Sequence, residues 1–310
     1  MADGPPDFLI VGTPRSGTTL AQRLAGELEG VRIPHETHFF RLFAPALARR
    51  QSFPLTRDAL LEELRAFAAL ETSRGLRFSA EATARRLNGR VETMLDLFGA
   101  IVRELAGEAQ LYGEKTPSHL RWWRELSNGL PKLRTIAVVR DPRAVVASYF
   151  AAWGHRPHAV IAERWALDQR EVAAARRVLG DGRCLVVRYE EIVAAPDVWR
   201  RRLSEFLGVP PTPGPRGGET LALPWETWKA RAGTPITTDR VDRWREALPA
   251  DIAADVTSIA RREMALFGYA APAPPKRLAP TTQWLRYRYR AERLVGRAEQ
   301  ASLAASPTFG

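Results

Sequence analysis

GTPRSGTT, residues 12–19 of the 310-residue chain, is the stretch that decides the fold. It follows the apolar run FLIVG of residues 8–12, and residues 18–29 carry leucine at positions 20, 24 and 28. This spacing predicts a helix after a short buried strand. Two glycines five residues apart at such a junction are typical of a phosphate-binding loop. Glycine lets the backbone approach an anion closely, and the helix N-terminus presents free N–H groups to it.

One residue of the nucleotide-hydrolase version of this loop is missing. That version has a lysine directly after the second glycine, whereas this chain has Thr18 there and its basic residue at Arg15. Without the lysine, Mg·ATP loses its main phosphate contact, so the loop fits a terminal 5′-phosphate bound without metal better. The residues predicted to bind this phosphate are Arg15, Ser16, Gly17, Thr18 and Thr19.

A second candidate anion site lies at VVRDPRAVVAS, residues 138–148. The pattern predicts a strand that ends at Arg140 and a helix that starts with Pro142, with Ser148 on its second turn. Arg140 and Ser148 would then lie in the crevice beyond the carboxyl edge of the sheet, where open α/β sheets bind ligands. Asp141 is interpreted as the N-cap of the helix. Residues 136–141 loosely resemble a magnesium-binding strand, but the missing lysine argues against it, and no metal site is predicted.

The rest of the chain predicts an α/β fold with a parallel sheet flanked by helices. Apolar runs at residues 109–113, 133–139 and 183–188 alternate with helical patterns, which is typical of strand–helix–strand units. Residues 37–108 read as helices without a strand, and we expect a helical insertion after the first strand–helix unit. Further helices are predicted at residues 142–153, 196–207, 238–247 and 250–266, and residues 209–235 predict a long loop.

We expect three parts along the chain. They are a main domain of residues 1–270 containing the insertion, a Pro-rich linker of residues 271–280, and a basic helix and tail of residues 281–310. Between residues 276 and 300 there are seven basic and two acidic side chains. One interpretation is a helix docked by Trp284, Leu285, Tyr289 and Leu294 with solvated arginines; the alternative is peripheral contact with an acidic surface.

Composition limits the compartment and the class of partner. The formal net charge is +11, carried by arginine with only four lysines, and such a surface attracts anions. Cys184 is the single cysteine and excludes an intrachain disulfide. Neither a signal peptide nor an apolar run of about 18 residues is recognised, so a cytoplasmic location is expected.

The motifs resemble those of one enzyme family. PRSGTT at residues 14–19 is similar to the 5′-phosphosulfate loop of sulfotransferases that use 3′-phosphoadenosine 5′-phosphosulfate (PAPS), and residues 139–148 resemble their 3′-phosphate site. GEKTP, VRYE and FLG, which start at residues 113, 187 and 206, follow in family order. The arginine in the loop resembles the bacterial and tyrosylprotein branches. The resemblance implies a P-loop-NTPase-like fold, PAPS as donor, 3′-phosphoadenosine 5′-phosphate (PAP) as product, and no metal.

The resemblance also implies roles for single residues. Arg15 would stabilise the leaving 5′-phosphate, and Lys115 would approach the bridging oxygen. Arg140 and Ser148 would bind the 3′-phosphate, because a bidentate arginine matches phosphate geometry. Lys229 or Arg231 is a weaker candidate for a further contact.

A general base must accept the proton of the acceptor hydroxyl. Glu36 is favoured by its resemblance to the base of the arginine-loop branch. His38 is the alternative, because imidazole has a suitable unperturbed pKa and cytosolic relatives use histidine. His119, His155 and His158 are given no role.

Two other function classes are considered. A P-loop kinase of a small substrate would bind Mg·ATP, and a non-catalytic polyanion-binding module would bind without nucleotide selectivity. For the transferase, the acceptor is expected to be a metabolite or glycan hydroxyl, with lipid also open, and nucleic acid is not predicted as a partner. Aromatic residues that could line the acceptor pocket, although core is the stronger interpretation for most of them, are Phe39, Phe40, Trp153 and Trp225. The oligomeric state is not predicted.

Overall fold

The computed structural model describes residues 5–50, 53–70, 73, 76–88, 91–211, 234–271, 277–306 and 309. Its centre is a five-stranded parallel sheet in the order β2-β3-β1-β4-β5. The strands are β1 (Phe8–Gly12), β2 (Val31–Arg32), β3 (Leu111–Lys115), β4 (Arg134–Val139) and β5 (Cys184–Arg188). The predicted α/β class with a parallel sheet is confirmed. The predicted strand at 109–113 lies two residues later, and the two-residue β2 was not predicted.

Thirteen α-helices surround the sheet in the described part of the chain. They are α1 (Thr18–Gly26), α2 (Ala44–Arg50), α3 (Arg57–Ala68), α4 (Ala80–Arg86), α5 (Met94–Ala106), α6 (Trp123–Gly129), α7 (Pro142–Trp153), α8 (His158–Leu179), α9 (Tyr189–Ala194), α10 (Pro196–Leu207), α11 (Trp244–Ala247), α12 (Ala250–Leu266) and α13 (Pro280–Ala304). The structure also has a π-helical turn at Phe39–Phe43 and a 3₁₀ segment at Pro117–Trp122.

The sheet separates two apolar cores. Phe8 and Ile10 of β1 face a core that also contains residues of α1 and α10. Leu9 and Val11 face the opposite core, which contains residues of the inserted helices and of α7, α8 and α12. Because both faces are covered, β1 is apolar throughout, as expected of a central parallel strand.

Between β2 and β3, the described elements are the π-helical turn and the helices α2 to α5, apart from an isolated bridge between Leu55 and Val91. Phe39 and Phe40 are 0% and 1% exposed and pack against Phe98. These two phenylalanines therefore belong to the core, which was the stronger interpretation from the sequence. The proposed domain boundaries remain a prediction.

The 22-residue helix α8, which precedes β5 in the chain, was not predicted. Its buried positions include Glu163, Asp168, Gln169 and Glu171 alongside apolar residues. Charged residues at core positions hide the apolar periodicity from which a helix is recognised. The helix predicted over residues 238–247 is also shorter, because only Trp244–Ala247 is helical.

The C-terminal helix α13 is docked on α8 mainly by its arginines. Arg286 and Arg290 both donate to Glu163, whose side chain is fully buried. Leu285 is partly buried against the core, but Trp284 and Leu294 are 58% and 67% exposed. The prediction of solvated arginines and docking by these two apolar side chains is therefore wrong. The reason is that α8 offers buried carboxylates, which require cationic partners.

No helix in the described ranges is long and apolar enough to cross a membrane. Several predictions concern residues outside those ranges. These are most of the predicted loop and linker, together with Lys229, Arg231 and Trp225.

Candidate active site

The loop between β1 and α1 depends on two glycines. Gly12 has φ 153°, and a Cβ there would lie 2.4 Å from the carbonyl oxygen of Val138. Gly17 has φ 96°, and its Cβ would lie 2.4 Å from the ring of Tyr189. Arg15 also has positive φ, at 74°. The loop therefore wraps tightly against β4 and α9, which requires residues without a side chain at positions 12 and 17.

Gly17→Ala is expected to lower the free energy of unfolding by about 1–3 kcal/mol, because the methyl group overpacks against Tyr189 and the left-handed backbone is strained. Urea unfolding measures the loss. Gly154→Ala is the matched control, since Gly154 has φ 72° but no atom within 4 Å of its Cβ position. Equal losses in the two variants would show that backbone strain alone matters and that the ring gives way.

The first turn of α1 offers donors to an anion. The N–H groups of Gly17, Thr18 and Thr19 have no acceptor among the described residues, as is usual at a helix N-terminus. The backbone N–H of Ser16 was predicted to bind the phosphate together with these groups. In the structure it donates instead to the Thr13 carbonyl at 3.1 Å. The Ser16 hydroxyl is buried without a hydrogen-bond partner. These donors form a cradle for a phosphate.

Arg15 and Arg140 converge on this cradle. Arg15 Nε donates to Ser148 Oγ at 3.1 Å, and Arg140 Nη1 donates to the Arg15 carbonyl at 3.3 Å. Burial lowers the pKa of both guanidinium groups, and the charge of Arg140 lowers that of Arg15 further. Arg140 Nε is buried and lacks a partner. Buried cations that hydrogen-bond only to neutral groups indicate a site for an anion.

Arg240 is a third arginine of the site and was not predicted. Its carbonyl accepts from Arg140 Nη2 at 2.7 Å, and its Nε is buried without a partner. The guanidinium of Arg140 also lies 4.1 Å from the centroid of the Tyr189 ring. Arg240 follows the long predicted loop without a recognisable motif, so the sequence contains no signal that identifies it.

Asp141 is a helix cap, as predicted. Its Oδ1 accepts from the Arg143 N–H at 2.8 Å, and the Arg143 guanidinium contacts both carboxylate oxygens. Asp141 thus does not face the cradle as a free carboxylate. The described residues contain no group of three or more His, Cys, Asp or Glu that could hold a metal ion.

Glu36, Lys115 and His38 lie close together. Lys115 is 1% exposed, and its Nζ lies 2.5 Å from Glu36 Oε1. Lys115 ends β3 next to β1, so the parallel register places its side chain near the loop. His38 Nε2 is 3.5 Å from Glu36 Oε2. Burial lowers the pKa of His38 to about 4, which keeps the imidazole neutral near pH 7.

A buried network holds this turn in place. Glu114 is fully buried and accepts hydrogen bonds from the hydroxyls of Thr37 and Thr116, at 2.9 and 2.6 Å. Its other oxygen lies 2.9 Å from Nδ1 of His119. Burial would raise the pKa of this carboxyl, but His119 and the hydroxyls hold it below its usual value. His119, to which the sequence assigned no role, therefore supports the segment that carries Glu36.

One cavity of about 540 Å³ is lined by many of these residues, although Ser16 and Lys115 are not among its lining residues. Its lining combines the cradle and the arginines with Glu36, His38, Arg41, Tyr149, Trp153 and Arg164. Trp153 is 37% exposed, and the Arg15 guanidinium lies 5.3 Å from the centroid of its ring. Of the predicted site residues in the described ranges, the cavity lining includes Arg15, Gly17, Thr18, Thr19, Glu36, His38, Arg140 and Ser148.

The fold and this cavity define an α/β protein with a phosphate-loop-like junction between β1 and α1 and an arginine-rich site that suits an anion. The model of the sulfotransferase family matches residues 6–213. The chain belongs to the sulfotransferase family. The sequence-based assignment to this family is thereby confirmed.

The similar individual proteins are also sulfotransferases. The chain is 22% identical to a protein-tyrosine sulfotransferase of Drosophila melanogaster, over 90% of this chain and 55% of that protein. It is 26% identical to protein-tyrosine sulfotransferase 1 of Danio rerio, over 87% of this chain and 74% of that protein. It thus spans about half the length of the Drosophila relative.

Among solved structures, the sulfotransferase domain from the curacin biosynthetic pathway is similar in fold. The TM-score is 0.62 at 18% identity, covering 86% of this chain and 99% of that domain. This likeness supports the P-loop-like fold.

Proposed function

We propose that the protein transfers the sulfuryl group of PAPS to a hydroxyl acceptor and releases PAP. The observation that carries the proposal is one cavity lined by Arg15, Arg140, the first turn of α1 and Glu36, whose carboxylate contacts Lys115. Sulfuryl transfer, like phosphoryl transfer, depends mainly on positioning and electrostatics. Cations at the donor side and a carboxylate near the acceptor side supply both.

The residues of the donor side fit a nucleotide with two separate phosphate groups. The N–H groups of residues 17–19 and the Ser16 hydroxyl would hold the 5′-phosphate. Arg140, whose Nε has no partner, and Ser148 would hold the 3′-phosphate. The donor supplies the activated sulfuryl group when bound. Arg15, between the two phosphate positions, would neutralise the charge that builds up on the leaving side.

The acceptor side provides a base and a cation. Glu36 would accept the proton of the acceptor hydroxyl. Lys115 holds this carboxylate by a 2.5 Å contact and would present its ammonium to the reacting centre. His38 is less suited as the base, because a pKa of about 4 makes its imidazole a weak proton acceptor.

The class of the acceptor is part of the proposal. The cavity lining also contains Trp153, Tyr149, Arg41 and Arg164, which are not assigned to either phosphate. Such a lining fits a metabolite or glycan hydroxyl, with a lipid hydroxyl as the further candidate. The proposal also includes the cytoplasmic location that the sequence predicts.

Thermal unfolding in the presence of PAP, AMP and Mg·ATP tests the donor. A ligand at 100 times its Kd stabilises the folded state by about 2.7 kcal/mol, so the midpoint is expected to rise by several degrees with PAP. AMP is expected to give a smaller shift because it lacks the 3′-phosphate. A shift with Mg·ATP but not with PAP would favour the kinase. No nucleotide shift, with salt-sensitive binding of a polyanion, would favour the non-catalytic module.

Arg140→Ala is expected to weaken PAP binding by about 10- to 150-fold, because a hydrogen bond to a charged group contributes about 1.5–3 kcal/mol. Isothermal titration calorimetry measures the change. AMP affinity should change little, since Arg140 is assigned to the 3′-phosphate. Arg177→Ala, at an exposed arginine of α8, is the control and should leave both affinities unchanged. An equal loss for AMP would contradict the assignment.

A further inference from the structure

The outer face of α13 is an apolar stripe. Trp284, Tyr287, Leu294 and Val295 are between 58% and 67% exposed. In the described part of the chain, eight large apolar side chains are exposed, and four of them are these. A contiguous exposed apolar patch usually marks an interaction surface. At 3.6 residues per turn, the stripe lies roughly a quarter of a turn around α13 from the arginines that contact α8.

Trp284, Tyr287 and Leu294 of the stripe, together with three alanines, have the spacing of a coiled-coil seam, and Val295 lies beside it. Positions 284, 287, 291, 294, 298 and 301 read Trp, Tyr, Ala, Leu, Ala and Ala. Their separations alternate between three and four residues, which is the heptad repeat of helices that pack along a common seam. The natural occupant of this face is therefore another helix.

The charges of α13 argue against a lipid surface as the occupant. The helix has five arginines, and four of them donate to buried carboxylates of α8. Its other charged side chains are Arg288, Glu292 and Glu299, and Arg288 is 3.4 Å from Glu292. An anionic membrane attracts helices whose exposed face is rich in Lys and Arg. Because four of the five arginines donate to carboxylates of α8, the exposed face of α13 is not rich in Arg.

The stripe is complementary to itself in the antiparallel direction. If a two-fold axis passes midway between positions 291 and 294, Trp284 faces Ala301 of the second copy. By the same symmetry Tyr287 faces Ala298, and Leu294 faces Ala291. Each large side chain then meets an alanine, so the helices keep a constant separation. A parallel pair would instead place Trp284 against Trp284 and alanine against alanine.

We propose that α13 pairs antiparallel with α13 of a second copy and makes the protein a homodimer. A two-fold interface uses the same patch on both subunits, and a self-complementary stripe satisfies this requirement. The 18 residues from 284 to 301 span about 27 Å of helix. The contact area is therefore at the small end for specific interfaces, and the dimer should dissociate on dilution. The proposal does not depend on the catalytic function.

Sedimentation equilibrium of the full chain over a range of protein concentrations tests the dimer. The wild type is expected to shift from monomer to dimer as the concentration rises. Leu294→Glu is expected to remain monomeric with an unchanged unfolding midpoint of the monomer, because it buries a charge only in the dimer. Leu266→Glu is the matched control, since Leu266 is 57% exposed on α12, and it should dimerise like the wild type. A wild type that stays monomeric throughout, or a Leu294→Glu variant that dimerises normally, would overturn the proposal.

Cysteine cross-linking tests the antiparallel register. The single native cysteine, Cys184, is 1% exposed, so an introduced cysteine is the reporter. Tyr287→Cys and Ala298→Cys are expected to form a disulfide-linked dimer under mild oxidation only when the two variants are mixed. Within either variant alone, the two copies of the cysteine are about 16 Å apart along the axis, too far for a disulfide, which needs Cα atoms within about 7 Å. Cross-linking within each variant alone and not in the mixture would contradict the register.

Discussion

Replacement of Glu36 by glutamine is expected to lower kcat by about 10²- to 10⁴-fold, the usual contribution of a general base. Glutamine has the same shape and can still accept a hydrogen bond from Lys115, which lies 2.5 Å from the carboxylate. It cannot take up a proton at neutral pH. The affinity for PAP should stay the same, because Glu36 is not assigned to either phosphate. Single-turnover kinetics and PAP titration measure the two quantities separately.

His38→Gln is the variant that distinguishes the two candidate bases. Burial lowers the pKa of His38 to about 4, so its imidazole is neutral and weakly basic at the pH of the assay. We expect a loss well below that of Glu36→Gln. If His38→Gln lost more activity than Glu36→Gln, the assignment of the base would be reversed. The unfolding midpoint of each variant shows whether the turn is still held by Glu114.

Lys115→Met is expected to lower kcat by about 10²- to 10³-fold, the range found when one donor to developing charge is removed. Methionine keeps most of the side-chain volume at a position that is 1% exposed. The change therefore removes the ammonium without leaving a large cavity. Glu36 then loses its counter-charge, and the leaving side of the reaction loses a cation. The same kinetic assay and PAP titration apply.

Lys132→Met is the matched control, because Lys132 is an exposed lysine just before β4. It should keep full activity. Retained PAP binding by Lys115→Met would show that the donor site is still folded, so that lost turnover reports on catalysis. Near-normal kcat in a folded Lys115→Met protein would limit the lysine to a structural role.

The donor loop was predictable because its signals are local. A buried strand, two glycines and a helical leucine pattern occupy residues 8–29 without interruption. The bounds of α7, α10 and α12 were likewise predicted correctly, because proline at or near the first turn and a periodic apolar face mark them. Family resemblance then assigned roles to Arg15, Glu36, Lys115 and Arg140.

Residues that act through burial were not predictable in the same way. Glu163 and Glu114 look like ordinary surface carboxylates in the sequence, yet both are fully buried. Glu163 anchors α13 through two arginines, and Glu114 supports the turn that carries Glu36. Their partners are 123 and 77 residues away for Arg286 and Thr37. No local pattern contains that information.

The sequence by itself determined the strand–loop–helix unit and the family, and it predicted an anion site at that loop. Each of these depends on contiguous residues, whose periodicity and backbone freedom act over a few turns. The tertiary structure decided that Arg15, Arg140, Arg240 and Glu36 line one cavity, and that Lys115 contacts Glu36. The parallel register of β3, β1 and β4 aligns the carboxyl ends of these strands. Residues far apart in the chain meet at that edge because parallel strands all end there.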